Sequence, residues 1–236
     1  GLEHYRALLD DVASDEVPIR QQGCLYLYPS AANLAAARDD IETRRQRGVA
    51  LEMLSPDEVR QLVPAIGPDM AGGALATQSG HATSPLALSQ LLAARIVADG
   101  GNFIKAKASG FAIGSDGPTH VHTDQGDIPV RAVVVAAGAF SKPLAKSLGN
   151  TVPLDTERGY HMMLPQPGID LRVPMLINAH GYAVTPMQDG IRLAGTVEFA
   201  GTEAAPNYAR ADVLLKRARK LFPGLQDTGA EKWMGH

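Results

Sequence analysis

Arg131-Ala-Val-Val-Val-Ala-Ala-Gly138 is the stretch on which the fold turns. Val133 to Ala137 is continuously apolar and closes on small residues, and a helix follows, capped by Ser141 and closed by Gly149. An apolar run buried on both faces and feeding a helix is the pattern of an interior strand of a parallel sheet. Small residues at the carboxyl end of such a strand leave its backbone open to a ligand in the crevice there. Just upstream the texture differs. Phe103 to Val130 is broken by Gly114-Ser-Asp-Gly117 and Asp124-Gln-Gly126, which predicts a meander of hairpins.

Working outward on the N-terminal side, Ser84-Pro85 opens a helix with Leu88, Leu91, Leu92 and Ile96 on one stripe, stopped at Asp99-Gly100-Gly101. Ala71 to Thr77 and Arg20 to Tyr28 read as strands. Ser55-Pro-Asp-Glu58 is a capping box with Pro at the first helical position. Ser30 is expected to cap one helix running to about Arg47, and residues 3 to 13 a short one. On the C-terminal side, strands are expected over 154–164, 175–178, 182–186 and 191–196, with a turn at Gln188-Asp-Gly190. Asn207 precedes a helix whose apolar face is Ala211, Leu214, Leu215, Ala218, Leu221 and Phe222. Glu231 to His236 reads as a further strand.

Composition narrows the function classes. The 236 residues are 45% hydrophobic and 20% charged, with a net charge of −3. No cationic excess exists to neutralise phosphates, and Lys216, Arg217, Arg219 and Lys220 read as a solvated helix end, so no nucleic-acid partner is expected. The composition is that of a folded chain, and no apolar run approaches the roughly 18 residues of a membrane-spanning helix. Cys24 is the only cysteine, so no disulfide framework forms within the chain. The opening Gly1-Leu-Glu-His4 and the strand-like close read as cut ends, and the chain is expected to be a piece of a longer protein.

Most catalytic signatures do not occur: no G-x-S-x-G, no H-E-x-x-H, no phosphate-binding G-x-x-x-x-G-K-[ST] and no G-x-G-x-x-G. His120 and His122 would share one strand face, but no third ligand stands at useful spacing, so no metal site is expected.

Six segments nevertheless occur in a recognisable order. Gln22-Gly-Cys-Leu-Tyr26 and Gly80-His-Ala-Thr-Ser-Pro85 come first. Val133-Val-Val-Ala-Ala-Gly-Ala-Phe-Ser141, Arg158-Gly-Tyr-His-Met162, Gly181-Tyr-Ala-Val-Thr-Pro-Met187 and Gly190-Ile-Arg-Leu-Ala-Gly-Thr-Val-Glu-Phe199 follow. The series resembles the FAD-dependent D-amino-acid oxidase and dehydrogenase superfamily, most nearly the bacterial D-amino-acid dehydrogenases, over nearly the whole chain.

The resemblance implies an α/β (α+β) fold in two interleaved parts. Residues 78–150 would be the central part of a three-layer FAD-binding domain. Residues 1–77 and 151–236 would form a discontinuous substrate domain on a mixed β-sheet. It implies a Gly-rich FAD motif before Gly1, and beyond Trp233-Met-Gly-His236 an Arg that commonly holds the substrate carboxylate. For FAD the family pattern carries onto Ala136, Ala137 and Gly138, and onto Ala108, where the family usually has Val. Tyr160 and Tyr182 offer an apolar ring with a polar tip to shape an amino-acid pocket, and Thr196 and Glu198 could face the substrate from a strand end. No side chain is assigned as a catalytic acid or base.

The implied reaction is oxidation of an amino acid at the Cα–N bond by hydride transfer to the flavin, giving a 2-oxo acid and ammonia. Two alternatives stand beside it. One is oxidation of secondary amines such as sarcosine or proline, or of 2-hydroxy acids, and the other is a binding module with a degenerate flavin site. Oxygen, a quinone or a carrier protein would each serve as electron acceptor, and the residues do not choose among them. The expected location is the cytoplasm, at most peripheral to the inner membrane, with association of the parent protein with a membrane surface left open.

Overall fold

Strict alternation in the C-terminal third builds one apolar face after another. From Arg158 to Leu164 every second side chain (Arg158, Tyr160, Met162, Leu164) is buried, and those between are only partly so. The computed structural model describes residues 1–12 and 16–236. In chain order the strands are β1 (Ile19–Arg20), β2 (Cys24–Tyr28), β3 (Leu51–Leu54), β4 (Gly72–Ala76), β5 (His81–Ala82), β6 (Ala108–Gly114), β7 (Gly117–Thr123), β8 (Gly126–Pro129), β9 (Arg158–Leu164), β10 (Met175–Ile177), β11 (Tyr182–Met187), β12 (Gly190–Glu198) and β13 (Glu231–Gly235). The helices are α1 (Leu2–Leu8), α2 (Ala31–Ala36), α3 (Arg38–Gln46), α4 (Pro56–Leu62), α5 (Pro85–Ala98), α6 (Ser141–Ser147) and α7 (Ala209–Leu221). No helix among the described residues is long and apolar enough to cross a membrane.

The chain divides into two compact units. Gly1–Arg95, Gly159–Val197 and Pro206–Gly235 make the first, and Ile96–Arg158, Glu198–Ala205 and His236 the second.

In the first unit eight strands form one mixed sheet in the order β13-β9-β12-β11-β10-β2-β4-β3. β10 runs parallel to β2, with Met175 beside Leu25, while β11 pairs antiparallel with both β10 and β12. One face carries Leu25, Met162, Leu164, Met175, Val184 and Leu193 against Ala211, Leu214, Ala218 and Leu221 of α7 and Val59 of α4. Those α7 positions recur at helical spacing, so a single stripe meets the sheet. The opposite face is covered at the β2–β4 end by α3, whose Ile41 packs on Tyr28 and Ala74.

Helix ends follow the side chains able to cap them. Ser55 Oγ accepts from Glu58 N at 3.3 Å while Glu58 Oε2 accepts from Ser55 N at 2.8 Å, closing the box that opens α4. Ser30 Oγ accepts from Asn33 N, but the single helix expected to Arg47 is two, α2 and α3, meeting at Ala37. The strand expected over 20–28 is broken at Gly23, whose φ of +85° turns the chain between β1 and β2. The helix expected over 3–13 closes at Leu8, and residue 13 lies outside the described residues.

The second unit holds the expected meander, β6-β7-β8. It also corrects two expectations. Residues 131–137 form no strand, and Val134 is 91% exposed. An interior parallel strand needs a neighbour on each edge, and no strand of the described residues pairs with this one. Ser141 does not cap α6 from outside. Gly138–Phe140 forms a 3-10 turn, so Ser141 is already helical, and its Oγ accepts from Ala137 N at 3.1 Å.

Candidate functional site

At the β9–β12–β13 end of the first unit's sheet, the face opposite the core carries the side chains that alternate with core residues. They are His161 between Tyr160 and Met162, Arg192 between Ile191 and Leu193, and Ala183 and Thr185 on β11 beside Tyr182 and Val184. Trp233 pairs directly with His161 across β13 and β9, so it shares that face. The two rings stack, centroids 4.8 Å apart and 19° from parallel. His161, Met163, Pro165, Asp189, Glu231 and Trp233 line a groove of about 440 Å³. His81, on β5, reaches the same strands, its Nε2 lying 3.0 Å from the carbonyl oxygen of Pro186.

Burial dominates the electrostatics of this face, and Arg192 adds to it. Its Nε is shielded from water without a hydrogen-bond partner, and burial pulls the guanidinium below its ordinary pKa. Burial, and next the charge of Arg192, holds the His161 imidazole below the usual histidine range. His81 is lowered mainly by burial, its bond to Pro186 working the other way and the charges of Arg20 and Arg192 adding to the drop. A permanent cation thus stands among two imidazoles biased toward neutrality.

Tyr160 and Tyr182 lie on the core side of the sheet. Tyr160 is 2% exposed, its hydroxyl accepts from Asn207 N at 2.9 Å, and its ring meets Tyr208 edge-on at 6.3 Å. Tyr182 belongs to the apolar core, and burial pushes its phenol up to about 12, against the lowering charge of Arg217. It borders a cavity of about 370 Å³ with Ile177, His180, Arg217 and Leu221. Thr196 follows Gly195 on β12 with a φ of +58° and a buried Oγ1 that has no partner. A β-branched residue there is strained, and such strain collects at functional sites.

The remaining candidates lie in the second unit. Glu198 approaches Arg158 Nη1 at 3.7 Å, and Arg158 is wholly buried. Ala108 pairs with Thr123 in the meander. Ala136 and Gly138 are exposed, Gly138 has a φ of +54°, and a Cβ built on it would meet nothing within 4 Å. Tyr160, Tyr182 and Thr196 are therefore brought onto one sheet, and Ala136 to Gly138 onto one turn. The sequence alone did not single out Arg192, His81 or Trp233 as site residues. The available signal for Arg192 was a charged residue set between Ile191 and Leu193 in a strand otherwise poor in charge.

Comparison with known proteins follows the whole chain. Residues 1–236 match the family described as DAO, FAD dependent oxidoreductase. The chain is 36% identical to a D-amino-acid oxidase of Bradyrhizobium diazoefficiens, over 98% of this chain and 56% of that protein. It is 28% identical to a D-amino acid dehydrogenase of Rhizobium rhizogenes, over 92% of this chain and 53% of that protein. It thus spans about half the length of these relatives. Among solved structures, L-proline dehydrogenase from P. horikoshii superposes with a TM-score of 0.81 at 18% identity, over 99% of this chain and 65% of that one. Glycine oxidase from Geobacillus kaustophilus does so at 0.80 and 20%, with the same coverage. At such identities the shared property is the fold.

Proposed function

The chain belongs to the FAD dependent oxidoreductase family, and from that membership we propose that the protein of which it is part oxidises a D-amino acid at the Cα–N bond. The observation that carries this reading is the 36% identity to a D-amino-acid oxidase over 98% of the chain.

The residues present fit part of an FAD site. Ala136 to Gly138 is a run of small residues with open space over Gly138, so a flat ring system or ribose could approach the main chain without meeting side chains. Ala137 N is held by Ser141 Oγ, which fixes the turn. When bound, FAD supplies a two-electron acceptor for the hydride on the substrate Cα. The chain's part is to hold the substrate. His161 and Trp233 form one wall of a groove on the sheet, and Arg192, on the same face, adds positive charge. An amine arriving neutral needs no side-chain base, and the imine left after hydride loss hydrolyses to a 2-oxo acid and ammonia. Tyr160 and Tyr182, with Thr196 and Glu198, support the substrate side in this reading, and Ala108 with Ala136 to Gly138 the cofactor side.

The test is loss of visible flavin absorbance in the full-length holoenzyme under anaerobic conditions. D-alanine is expected to bleach it. Bleaching by sarcosine, L-proline or lactate but by no D-amino acid would replace this reading with oxidation of a secondary amine or hydroxy acid.

A further inference from the structure

The cations toward the end of α7 are not alike. Arg219 pairs with Asp227 at 2.9 Å. Arg217 donates from Nη1 to the carbonyl oxygen of His180 at 2.6 Å, which fixes its guanidinium against the turn ahead of β11. Lys220, three residues on and so on the same helix face, makes neither an ion pair nor a hydrogen bond among the described residues. Arg217 and Lys220 both border the cavity of about 370 Å³ on the α7 side of the sheet, the face opposite the groove at Trp233. Tyr182 reaches the same cavity. Its ring supports the sheet from within the core, and its hydroxyl has no hydrogen-bond partner among the described residues, although a buried phenol ordinarily finds one. Burial keeps that phenol neutral, so it stands as an O–H donor, and Arg217 is near enough for its charge to act there.

Three donors therefore converge from two elements: a hydroxyl, the unused N–H groups of a guanidinium, and an ammonium. A planar carboxylate offers two oxygens, whereas a phosphate monoester offers three, one to each donor. Arg and Lys are the usual partners of phosphate. Ile177 and Leu221 give the cavity an apolar wall, and the unpaired carboxylate of Asp69 is an acceptor for a hydroxyl. The volume lies within the range of small-molecule sites.

We propose that this cavity binds a phosphate monoester with a hydroxylated body, of the sugar-phosphate class, its phosphoryl oxygens held by Tyr182, Arg217 and Lys220 and a hydroxyl by Asp69. The site is separate from the groove at Trp233 and does not rest on the reaction proposed above.

The full-length holoenzyme, its FAD already in place, is titrated calorimetrically with ribose 5-phosphate, ribose and inorganic phosphate. Ribose 5-phosphate is expected to bind with a dissociation constant at or below about 1 mM, inorganic phosphate at least about tenfold more weakly, and ribose not measurably. Lys220→Met should weaken binding of the ester at least about tenfold, and Tyr182→Phe several-fold. Lys220 is exposed, and the hydroxyl removed from Tyr182 has no partner in the protein. Both variants should therefore keep the wild-type thermal midpoint, which separates lost binding from lost folding. Wild-type affinity in both variants, ribose or inorganic phosphate binding as tightly as the ester, or no binding of the ester overturns the proposal. No oxidation is read, so failure here leaves the flavin-bleaching test untouched, and failure of that test leaves this site standing.

Discussion

Two neighbouring residues in β12 should answer substitution with opposite signs. Gly195 pairs with Tyr182, and a Cβ added there would stand 2.6 Å from the Gly181 carbonyl oxygen and 2.9 Å from Tyr182 Cα. Both are main-chain atoms fixed by the left-handed turn at Gly181, φ +63°, so the strands must part to admit a methyl group. Overpacking of this kind costs about 1–3 kcal/mol. Thr196, next along, holds a φ of +58°, which costs an L-residue roughly 1–2 kcal/mol and a β-branched one no less. Asn adopts that conformation far more readily. Gly195→Ala should therefore destabilise by about 1–3 kcal/mol and Thr196→Asn stabilise by about 1 kcal/mol. For a chain of this size each kcal/mol moves the thermal midpoint by roughly 2–4 °C. Midpoints from calorimetry, fall for the first and rise for the second, check both. If Thr196→Asn lowers the midpoint, or Gly195→Ala leaves it unmoved, the account of close strand approach forcing a strained neighbour is wrong.

Acid should weaken the fold in a defined window. His81 and His161 titrate below the ordinary histidine value of 6.5 when folded, so as pH falls through about 6.5 the unfolded chain binds protons the folded chain refuses. Their contribution is complete above that value and declines below it, so midpoints should drop between pH 7.5 and about 5.5, and His161→Gln should flatten part of the drop; a rise on acidification would contradict the assignment. Val134→Asp should shift this chain's midpoint by no more than about 0.5 kcal/mol equivalent, since Val134 is 91% exposed. In the full-length holoenzyme the same substitution should release FAD, read as flavin lost on gel filtration, if further strands flank residues 131–137.

The parts of the fold written in local pattern were legible in the sequence. The Ser55–Glu58 box, the α7 stripe and the alternation of β9 all formed from side chains a few residues apart. The strand at 133–137 was not realised, because strand formation depends on neighbours and those residues find none among the described ones. Alternation put His161 on the face opposite Tyr160, but which of the two faces the core would cover was hidden. Tyr160 and Tyr182 were picked for their chemistry, but alternation buries both and gives the opposite face to His161 and Arg192. Arg192 looked ordinary in the sequence because its lack of a partner is a property of three-dimensional neighbours.

The parallel seam between β2 and β10 joins Leu25 to Met175, and this shapes how the molecule is made. A chain emerging N-terminus first must hold the β2 edge uncovered until well over half its length has been synthesised. The other edge of β2 is taken by β4. The meander of 108–129 has only near-neighbour pairings and can organise during the wait, whereas the long-range seam is the slow step. Closing so long a loop adds little entropy beyond a shorter one. The burden is therefore one of time and exposure, with an unpaired apolar edge available to wrong partners until β10 arrives.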